Sequence, residues 1–219
     1  MIPLKDDNPH LSQPLVTYLL IAMNVMVFLR QVLLSGEAAS EFVFTYGAVP
    51  AYITQGHQVH TILTSMFLHG GFMHLAGNML YLYIFGDNVE ALCGHLRFLV
   101  FYLLCGAVAF ASHYLTATTS EIPMIGASGA ISGVLGAYAL RFPRARVYVL
   151  FPIFLWIYRI FKIPAALVLG IWFLLQLFSG VASSATGGGV AWFAHVGGFI
   201  AGLVLIHFFE QRRYRISFP

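Results

Sequence analysis

Six apolar stretches, each about as long as a membrane-spanning helix, constrain the fold of this chain more than any other feature. A helix needs about 20 predominantly apolar residues to cross the hydrocarbon core of a bilayer. The composition agrees, because 59% of the 219 residues are hydrophobic and 9% are charged, whereas soluble domains carry about 25% charged residues. The sequence therefore predicts an all-α polytopic membrane protein with six transmembrane helices. The predicted spans cover residues 15–34, 72–92, 96–115, 125–142, 163–180 and 190–209.

A seventh apolar stretch, residues 146–162, reads RVYVLFPIFLWIYRIFK and is short for a span. Basic residues bound it at both ends, and Pro152 interrupts it. We interpret this stretch as a loop at the membrane interface, with aromatic side chains at the level of the lipid headgroups. Those aromatic residues are Tyr148, Trp156 and Tyr158.

Lysine and arginine are distributed unevenly between the two sides of the predicted bundle. With the N-terminus in the cytoplasm, Arg30 is the only one of the 11 basic residues that falls toward the outer side. Cytoplasmic loops of membrane proteins carry such an excess of basic residues. The pattern favours six spans with both termini in the cytoplasm, and we expect a prokaryotic plasma membrane. The basic residues on the inner side are Lys5, Arg97, Arg141, Arg144, Arg146, Arg159, Lys162, Arg212, Arg213 and Arg215.

Four polar side chains fall inside the predicted spans. His74 and Asn78 lie four apart on one face of the second helix, Ser128 begins the fourth, and His195 lies in the first turns of the sixth. These three helices all start on the outer side, so the four residues share one depth below the outer surface. If residues 146–162 formed a span, His195 would start from the side opposite to Ser128. Polar groups in a bilayer usually face the bundle interior or a water-filled cavity, where they have partners.

Small residues near two of these side chains predict a close helix contact. Gly198 and Gly202 follow His195 at i+3 and i+7 and form a GxxxG pair. Stripes of small residues let two transmembrane helices approach closely. The fourth and sixth helices are therefore expected to pack together. The small residues that follow Ser128 at i+4 and i+8 are Ser132 and Gly136.

The packing of these two helices would bring a serine next to a histidine. A histidine base makes a serine hydroxyl nucleophilic, because it removes the hydroxyl proton during attack on a carbonyl. The resulting oxyanion needs hydrogen-bond donors that are already in position. His74, Asn78 and the backbone N–H of Ser128 are candidate donors. The sequence thus indicates a hydrolytic site with Ser128 as nucleophile and His195 as base.

Each of these residues taken alone has a simpler interpretation. Ser128 could belong to an ordinary small-residue packing motif, His195 could be a hydrogen-bonded core residue, and Asn78 could join two helices. Their occurrence at one depth on three helices favours a common site. Asp87 and Glu90 fall near the inner end of the second helix, and we interpret them as capping groups or partners of Arg97 rather than as a third catalytic residue.

A metal site is the other specific alternative to a serine hydrolase site, because several histidines lie before the second helix or in its first turn. The pair in HGGFMH is spaced five residues apart, no HExxH motif is present, and no carboxylate joins the histidines at ligand spacing. We therefore expect no metal here. The histidines concerned are His57, His60, His69 and His74.

Three segments resemble the rhomboid family of intramembrane serine proteases. They are TSMFLHGGFMHLAGNMLYLYIFGDNVE at residues 64–90, GASGAISGVLGAY at 126–138 and AHVGGFIAG at 194–202. The GxSG element alone is weak, since α/β-hydrolases also place serines between glycines. The three segments together, in this order and spacing, are highly specific. The resemblance covers most of the chain and implies a six-helix rhomboid-like bundle.

The resemblance also implies roles for individual residues. It implies a dyad of Ser128 and His195 with no acidic member. Some rhomboid proteins stack an aromatic residue on the imidazole one turn after the serine, where this chain has Ser132. Other neighbours must therefore orient the imidazole of His195.

Further site residues are implied in the second helix and the loop before it. The resemblance places His74 and Asn78 on the oxyanion side of the site. It assigns His69 to the support of the first loop and Glu90 to a structural contact at the inner end of the second helix. Gly198 and Gly202 support the helix packing.

The predicted activity is cleavage of single-span membrane proteins within or near the outer end of their transmembrane helix. A substrate helix must unwind first, because its carbonyls are hydrogen-bonded internally. The resemblance favours a small residue before the cut. No cofactor is implied, and nothing indicates nucleic acid. The implied partners are transmembrane protein substrates and the lipid bilayer.

Two alternatives of a different class remain. One is a catalytically silent rhomboid-like protein that binds transmembrane segments, and the other is an unrelated transporter. The presence of both Ser128 and His195 argues against the first. Few intramembrane acids and no broken-helix repeats argue against the second.

We expect the chain to divide into a cytoplasmic N-terminal segment (1–14), a six-helix protease domain (15–209) and a basic cytoplasmic tail (210–219). The outer loop before the sixth helix, residues 180–193, reads GVASSATGGGVAWF. It is either a flexible connector or a mobile cap over the Ser128–His195 pair.

Overall fold

The computed structural model describes residues 2–9, 12–154, 157–183 and 191–211. Within these ranges, helices dominate and three strands form one sheet. The helices are α1 (Leu15–Val32), α2 (Gly36–Tyr46), α3 (Pro50–Thr54), α4 (Thr61–Thr64), α5 (Phe72–Cys93), α6 (His95–Tyr114), α7 (Ser128–Arg141), α8 (Ala165–Ser183) and α9 (Trp192–Phe209). The strands are β1 (Ile2–Asp6), β2 (Arg146–Phe154) and β3 (Ile157–Pro164), and a 3-10 helix covers Ser65–Phe67.

Each of the six predicted spans coincides, to within a few residues at most ends, with one of the helices α1, α5, α6, α7, α8 and α9. Four of them, α1, α6, α8 and α9, are long and apolar enough to cross a membrane. The protein is therefore a multi-pass membrane protein built mostly of helices. The remaining two helices, α5 and α7, do not meet the same requirement of length and apolar character. α7 has 14 residues and a length of about 21 Å, and α5 carries Asp87, Asn88 and Glu90 near its end.

The central helix of the bundle is α7. All ten residues from Gly129 to Tyr138 are buried, and α7 contacts α5, α6, α8 and α9. Its small and apolar residues, with no charge before Arg141, suit a helix that is surrounded by protein. Ser128 begins this helix and the sheet follows its other end, so the two features lie at opposite ends of the bundle.

The prediction of an all-α fold is wrong at the end of the bundle where α7 stops. We expected residues 146–162 to form an interfacial loop, but the described residues of this stretch, 146–154 and 157–162, belong to the antiparallel pair β2–β3. β1 adds to β2, so the strand order is β1-β2-β3. Val147 and Val149 are buried against the bundle, whereas Arg146 and Tyr148 are not. This alternation is that of a half-buried strand. β-branched and aromatic residues favour strands, and the run is too short for a spanning helix.

Pro152 does not prevent strand pairing. Among the described residues, the pairing of β1 with β2 ends at Leu150, so β3 is the neighbour of β2 at Pro152. The register also shifts between Pro152 and Phe154. Proline is tolerated in sheets at edges and bulges, where no ladder hydrogen bond is lost.

The aromatic residues predicted at headgroup level have different surroundings. The ammonium groups of Lys5 and Lys162 each lie 4.8 Å from the centre of the Tyr148 ring, which is cation–π distance. Tyr158 is exposed, and Trp156 lies outside the described residues.

The N-terminal strand is held on the bundle by polar contacts with the end of α7. The hydroxyl of Tyr138 donates a hydrogen bond to the carboxyl group of Asp6, and it accepts one from Asn8 Nδ2 at 2.8 Å. Burial raises the pKa of Asp6 to about 6. The predicted N-terminal segment is thus an ordered part of the fold over residues 2–9.

We expect the raised pKa of Asp6 to make stability depend on pH. The folded protein binds the Asp6 proton more tightly than the unfolded chain, so its contribution falls as pH rises from about 4 to about 6. Asp6→Asn keeps an acceptor for Tyr138 and should remove this part of the slope. Thermal unfolding in detergent across this range measures the effect, with Asp7→Asn as the control. An unchanged slope in Asp6→Asn would contradict the assignment.

Three short helices between α1 and α5 are not evident from the sequence, because their residues are too few and too polar to give a clear period. Residues beside these helices contact the segment that precedes Ser128. Ala48 and Met124 form an antiparallel β-bridge. The N–H of Gly126 donates to the carbonyl oxygen of Ser65 at 2.9 Å.

The buried carboxylate of Glu90 joins α1 to α5. It accepts hydrogen bonds from Val16 N–H at 2.9 Å, from Thr17 N–H at 2.7 Å and from the Thr17 hydroxyl at 2.7 Å. His95 Nδ1 lies 2.6 Å from the same carboxylate. The first N–H groups of a helix have no partner inside it, and a negative charge complements the helix dipole there. Glu90 therefore caps α1 from α5.

Candidate active site

A cavity of about 860 Å³ lies at the end of the bundle where α5, α7 and α9 begin. The four polar residues that the sequence predicts at one depth all line it. The structure thus brings together side chains from three helices that are far apart in the chain. These residues are His74, Asn78, Ser128 and His195.

The closest polar contact in this group joins a hydroxyl to an imidazole. Ser128 is the first residue of α7, and His195 lies in the first turn of α9. The distance from Ser128 Oγ to His195 Nε2 is 2.8 Å. This separation is within the range expected for a nucleophile and its general base.

Glycines hold α7 and α9 close enough for this contact. A Cβ atom added to Gly198 would lie 2.1 Å from the carbonyl oxygen of Gly129. One added to Gly202 would lie 1.9 Å from the carbonyl oxygen of Gly133. Any larger residue at these positions would collide with backbone, so the GxxxG pair packs directly on α7.

The facing stripe on α7 is wider than the one predicted from the sequence. Gly136 belongs to it, since a Cβ there would lie 2.2 Å from the carbonyl oxygen of Phe199. Ser132 donates its hydroxyl hydrogen to the carbonyl oxygen of Ser128 at 2.6 Å. The stripe also includes Gly129 and Gly133.

The imidazole of His74 lies beside the segment that leads to Ser128. The N–H of Gly70 donates to His74 Nδ1 at 3.3 Å, so in the neutral ring Nε2 carries the proton and is free to donate. Gly126 has a φ of +122°, and a Cβ there would lie 2.9 Å from His74 Cε1. Glycine at 126 therefore serves both the backbone conformation and the space for this ring.

Two further donors face the same cavity. Asn78 Nδ2 is buried and has no hydrogen-bond partner among the residues that the structure describes. The N–H groups at the start of α7 have no acceptor within the helix, and the positive end of its dipole lies at Ser128. An anion near Ser128 Oγ would meet donors from α5 and from α7.

Sequence reasoning did not identify Gln176, a polar residue of α8 that contacts the site. Its Oε1 lies 2.7 Å from His195 Nδ1, and its Nε2 donates to the carbonyl oxygen of Trp172 at 3.3 Å. The available signal was that Gln176 is the only amide side chain in the fifth predicted span. The expectation that neighbours other than position 132 orient His195 agrees with this contact.

Two tryptophans flank the imidazole. The Trp172 ring lies 6.0 Å from the His195 ring, measured between centroids, at an interplanar angle of 38°. The Trp192 ring lies 6.1 Å away at 88°. Position 132 is a serine, so these two rings, rather than an aromatic residue there, limit the rotation of the His195 side chain.

His69 lies behind His74, in the loop before α5. Its N–H donates to Gln31 Oε1 at 3.0 Å, and its carbonyl oxygen accepts from Gln31 Nε2 at 3.2 Å. Its ring packs edge to face on His74 with centroids 5.1 Å apart. Burial lowers the pKa of His69 to about 4, so the ring is neutral at pH 7.

The four histidines considered for a metal site do not form one group. His57 and His60 are exposed, whereas His69 is buried next to His74. In the described part of the chain, no group of three or more His, Cys, Asp or Glu residues is placed to hold a metal ion. Half of the loop predicted as a connector or cap, namely residues 184–190, lies outside the described residues.

Comparison with known proteins assigns a family to this arrangement. The sequence model of the Rhomboid domain matches residues 56–212. The chain is 35% identical over 126 residues to Rhomboid protease GluP of Bacillus subtilis, which covers 58% of this chain and 24% of that protein. It is 32% identical over 154 residues to Rhomboid protein 1, mitochondrial, of Saccharomyces cerevisiae, which covers 66% of this chain and 40% of that protein.

A third relative is RHOMBOID-like protein 6, mitochondrial, of Arabidopsis thaliana, with 29% identity over 157 residues, covering 70% of this chain and 44% of that protein. The chain spans less than half the length of each of these three relatives. The matched domain covers most of the chain and contains all the helices that build the cavity. The chain belongs to the rhomboid family.

Proposed function

We propose that the protein is an intramembrane serine endopeptidase that cleaves single-span membrane proteins within or near the outer end of their transmembrane helix. The observation that carries the proposal is the 2.8 Å contact between Ser128 Oγ and His195 Nε2 in a cavity of a multi-pass membrane protein. Membership of a family that includes a bacterial protease supports it.

The chemistry follows from this contact. Ser128 Oγ attacks the carbonyl carbon of the scissile peptide as its proton passes to His195 Nε2. The imidazolium then gives this proton to the leaving amine, and the carbon–nitrogen bond breaks. Water then attacks the acyl carbon as its proton passes to His195 Nε2. The bond from this carbon to Ser128 Oγ breaks, and the imidazolium returns the proton to Oγ.

The negative charge on the tetrahedral intermediate needs donors that point at it. His74 Nε2–H, Asn78 Nδ2 and the Ser128 N–H are available on two sides of the cavity. Such preorganised donors stabilise a developing oxyanion strongly, because they act where water is largely excluded.

Removing oxyanion donors should slow turnover without unfolding the protein. We expect Asn78→Ala to lower kcat by on the order of 10²-fold, as single donors do in other hydrolases, and His74→Ala with Asn78→Ala to lower it further. Phe72→Ala, an exposed change in the same helix, is the control. Cleavage of a transmembrane substrate in proteoliposomes provides the measurement. Wild-type turnover in the double variant would exclude both residues from this role.

The substrate must present a peptide carbonyl that is not bound within a helix. A transmembrane segment with small or helix-breaking residues near its outer junction meets this need, and the rhomboid resemblance favours a small residue before the cut. No step requires a cofactor.

We further propose that all six long helices act as spans, with both termini in the cytoplasm of a prokaryotic cell, a protease domain over residues 15–209, and flanking segments 1–14 and 210–219. α5 and α7 would then cross the bilayer inside the bundle, shielded by α1, α6, α8 and α9. The excess of basic residues on the sheet side supports this orientation.

Cysteine labelling tests the orientation. We expect Arg159→Cys, on exposed β3, to react with a membrane-impermeant maleimide only from the cytoplasmic side, and Glu121→Cys, exposed near the cavity end, only from the other. The native Cys93 and Cys105 are buried and give the background. Labelling of both sites from the same side would refute this topology.

A fluorophosphonate probe tests the proposed activity directly. We expect the wild type to be labelled and Ser128→Ala not to be labelled. A folded wild type that neither reacts with the probe nor cleaves a transmembrane substrate would instead be a silent rhomboid-like protein that binds transmembrane segments.

A further inference from the structure

The hydrogen bonds of Gln176 determine which nitrogen of His195 carries the proton. The carbonyl oxygen of Trp172 can only accept, so the neighbouring atom of Gln176 must be its NH2 group, at 3.3 Å. The other end of the amide, Oε1, then faces His195 Nδ1 at 2.7 Å. An oxygen acceptor at this distance requires a hydrogen on Nδ1.

A neutral imidazole has one protonated nitrogen, and the two forms differ in chemistry. With the hydrogen on Nδ1, the lone pair of Nε2 points at Ser128 Oγ and can accept its proton. With the hydrogen on Nε2, His195 would be a donor to the serine and could not act as its base. Only the form that Gln176 favours suits the proposed reaction.

We infer that Gln176 is a positioning residue, which holds His195 in the Nδ1–H form and so makes Nε2 the acceptor for the Ser128 proton. This inference rests on the proposed function. Gln176 acts through His195 and need not touch the substrate. Ser128 on α7, His195 on α9 and Gln176 on α8 thus form a chain of two hydrogen bonds.

The burial of Gln176 and its two hydrogen bonds support this role. Gln176 is only 8% exposed, although it lies in a mostly apolar helix with no charged residue. A polar group buried in a membrane protein is costly unless it has partners. Both ends of the amide have one, and both bonds bear on the orientation of a single imidazole.

A glutamine can orient the imidazole of His195 without adding a charge beside it. No carboxylate is paired with His195 among the described residues. The other titratable groups that line the cavity are His74 and Tyr81 from α5 and His113 from α6, and none of them is a carboxylate. A carboxylate at position 176 would therefore be a new charge beside the base.

Variants at position 176 separate positioning from packing. Gln176→Met keeps the length of the side chain and removes the acceptor, while Gln176→Glu keeps an acceptor and adds a negative charge. Leu175→Met, at the adjacent and 55% exposed position, is the control. The measurement is the rate of fluorophosphonate labelling of Ser128 as a function of pH, with thermal unfolding in detergent as a check on folding.

We expect Gln176→Met to react about 10- to 100-fold more slowly than the wild type, by analogy with the effect of losing a partner that orients a metal-bound imidazole. Gln176→Glu should recover much of the rate at alkaline pH. The acid limb of the pH–rate profile of this variant should move upward by about 1 to 3 pH units, because a nearby negative charge favours the protonated form of the His195 ring. Leu175→Met should match the wild type.

Either of two results would overturn the inference and leave the proposed function intact. One is a wild-type rate and pH profile for Gln176→Met. The other is an equal loss in both Gln176 variants with an unshifted acid limb, which would indicate packing alone. A wild type without Ser128-dependent labelling would instead overturn the proposed function and this inference with it.

Discussion

Ser128→Ala and His195→Ala should each reduce cleavage of a transmembrane substrate by about 10⁴-fold or more. The two side chains act as one unit, since the hydroxyl is a poor nucleophile without a base and the base has nothing to activate without the hydroxyl. Their atoms are 2.8 Å apart. We therefore expect the double variant to be no slower than the slower single variant.

The measurement is single-turnover cleavage in proteoliposomes, with thermal unfolding to show that each variant is folded. Ser112→Ala is a matched control, because Ser112 lies on α6 and, among the residues that the structure describes, its hydroxyl donates to the carbonyl oxygen of Val108 in its own helix. Additive losses in the double variant, or substantial activity in either single variant, would refute the dyad.

Gly202→Ala should have the second-largest effect, although position 202 is more than one helical turn from the dyad. The new methyl group would lie 1.9 Å from the carbonyl oxygen of Gly133, and backbone cannot move aside as a side chain can. α9 must then shift away from α7. Displacement of a catalytic group by about 1 Å can cost on the order of 10²-fold in rate, and overpacking itself costs about 1–3 kcal/mol of stability.

Gly170→Ala is the matched control, since a methyl group at that position of α8 meets no atom within 4 Å. The cleavage rate and the unfolding temperature should both fall in Gly202→Ala, and both should stay unchanged in Gly170→Ala. This pattern differs from that of Ser128→Ala, which loses activity and stays stable. A fully active Gly202→Ala would show that the approach of α7 and α9 does not set the dyad geometry.

The long helices and the residues of the cavity could be predicted because in a membrane the signals are strong. A run of apolar residues indicates a helix, and a polar residue within it, such as Asn78 or His195, stands out against that background. The shared depth of the polar residues then followed from helix direction alone.

The sheet and Gln176 could not be predicted for different reasons. Residues 146–162 are apolar at nearly every position, which hides the alternation that buries Val147 and Val149. Gln176 stands in the middle of α8, and its contact with His195 depends on the rotation of that helix about its axis. Rotation is fixed by packing against neighbours rather than by local sequence.

The pairing of β1 with β2 has a consequence for the order of folding. Ile2 pairs with Leu150 and Lys5 with Tyr148, so seven helices are synthesised between the two partners. The N-terminal strand has no β2 to pair with until α1 to α7 have been synthesised, and contacts between such distant segments form slowly. Closure of the sheet thus comes after the synthesis of α7, so β1 can reach the end of α7 only when the helix that begins at Ser128 has already been made.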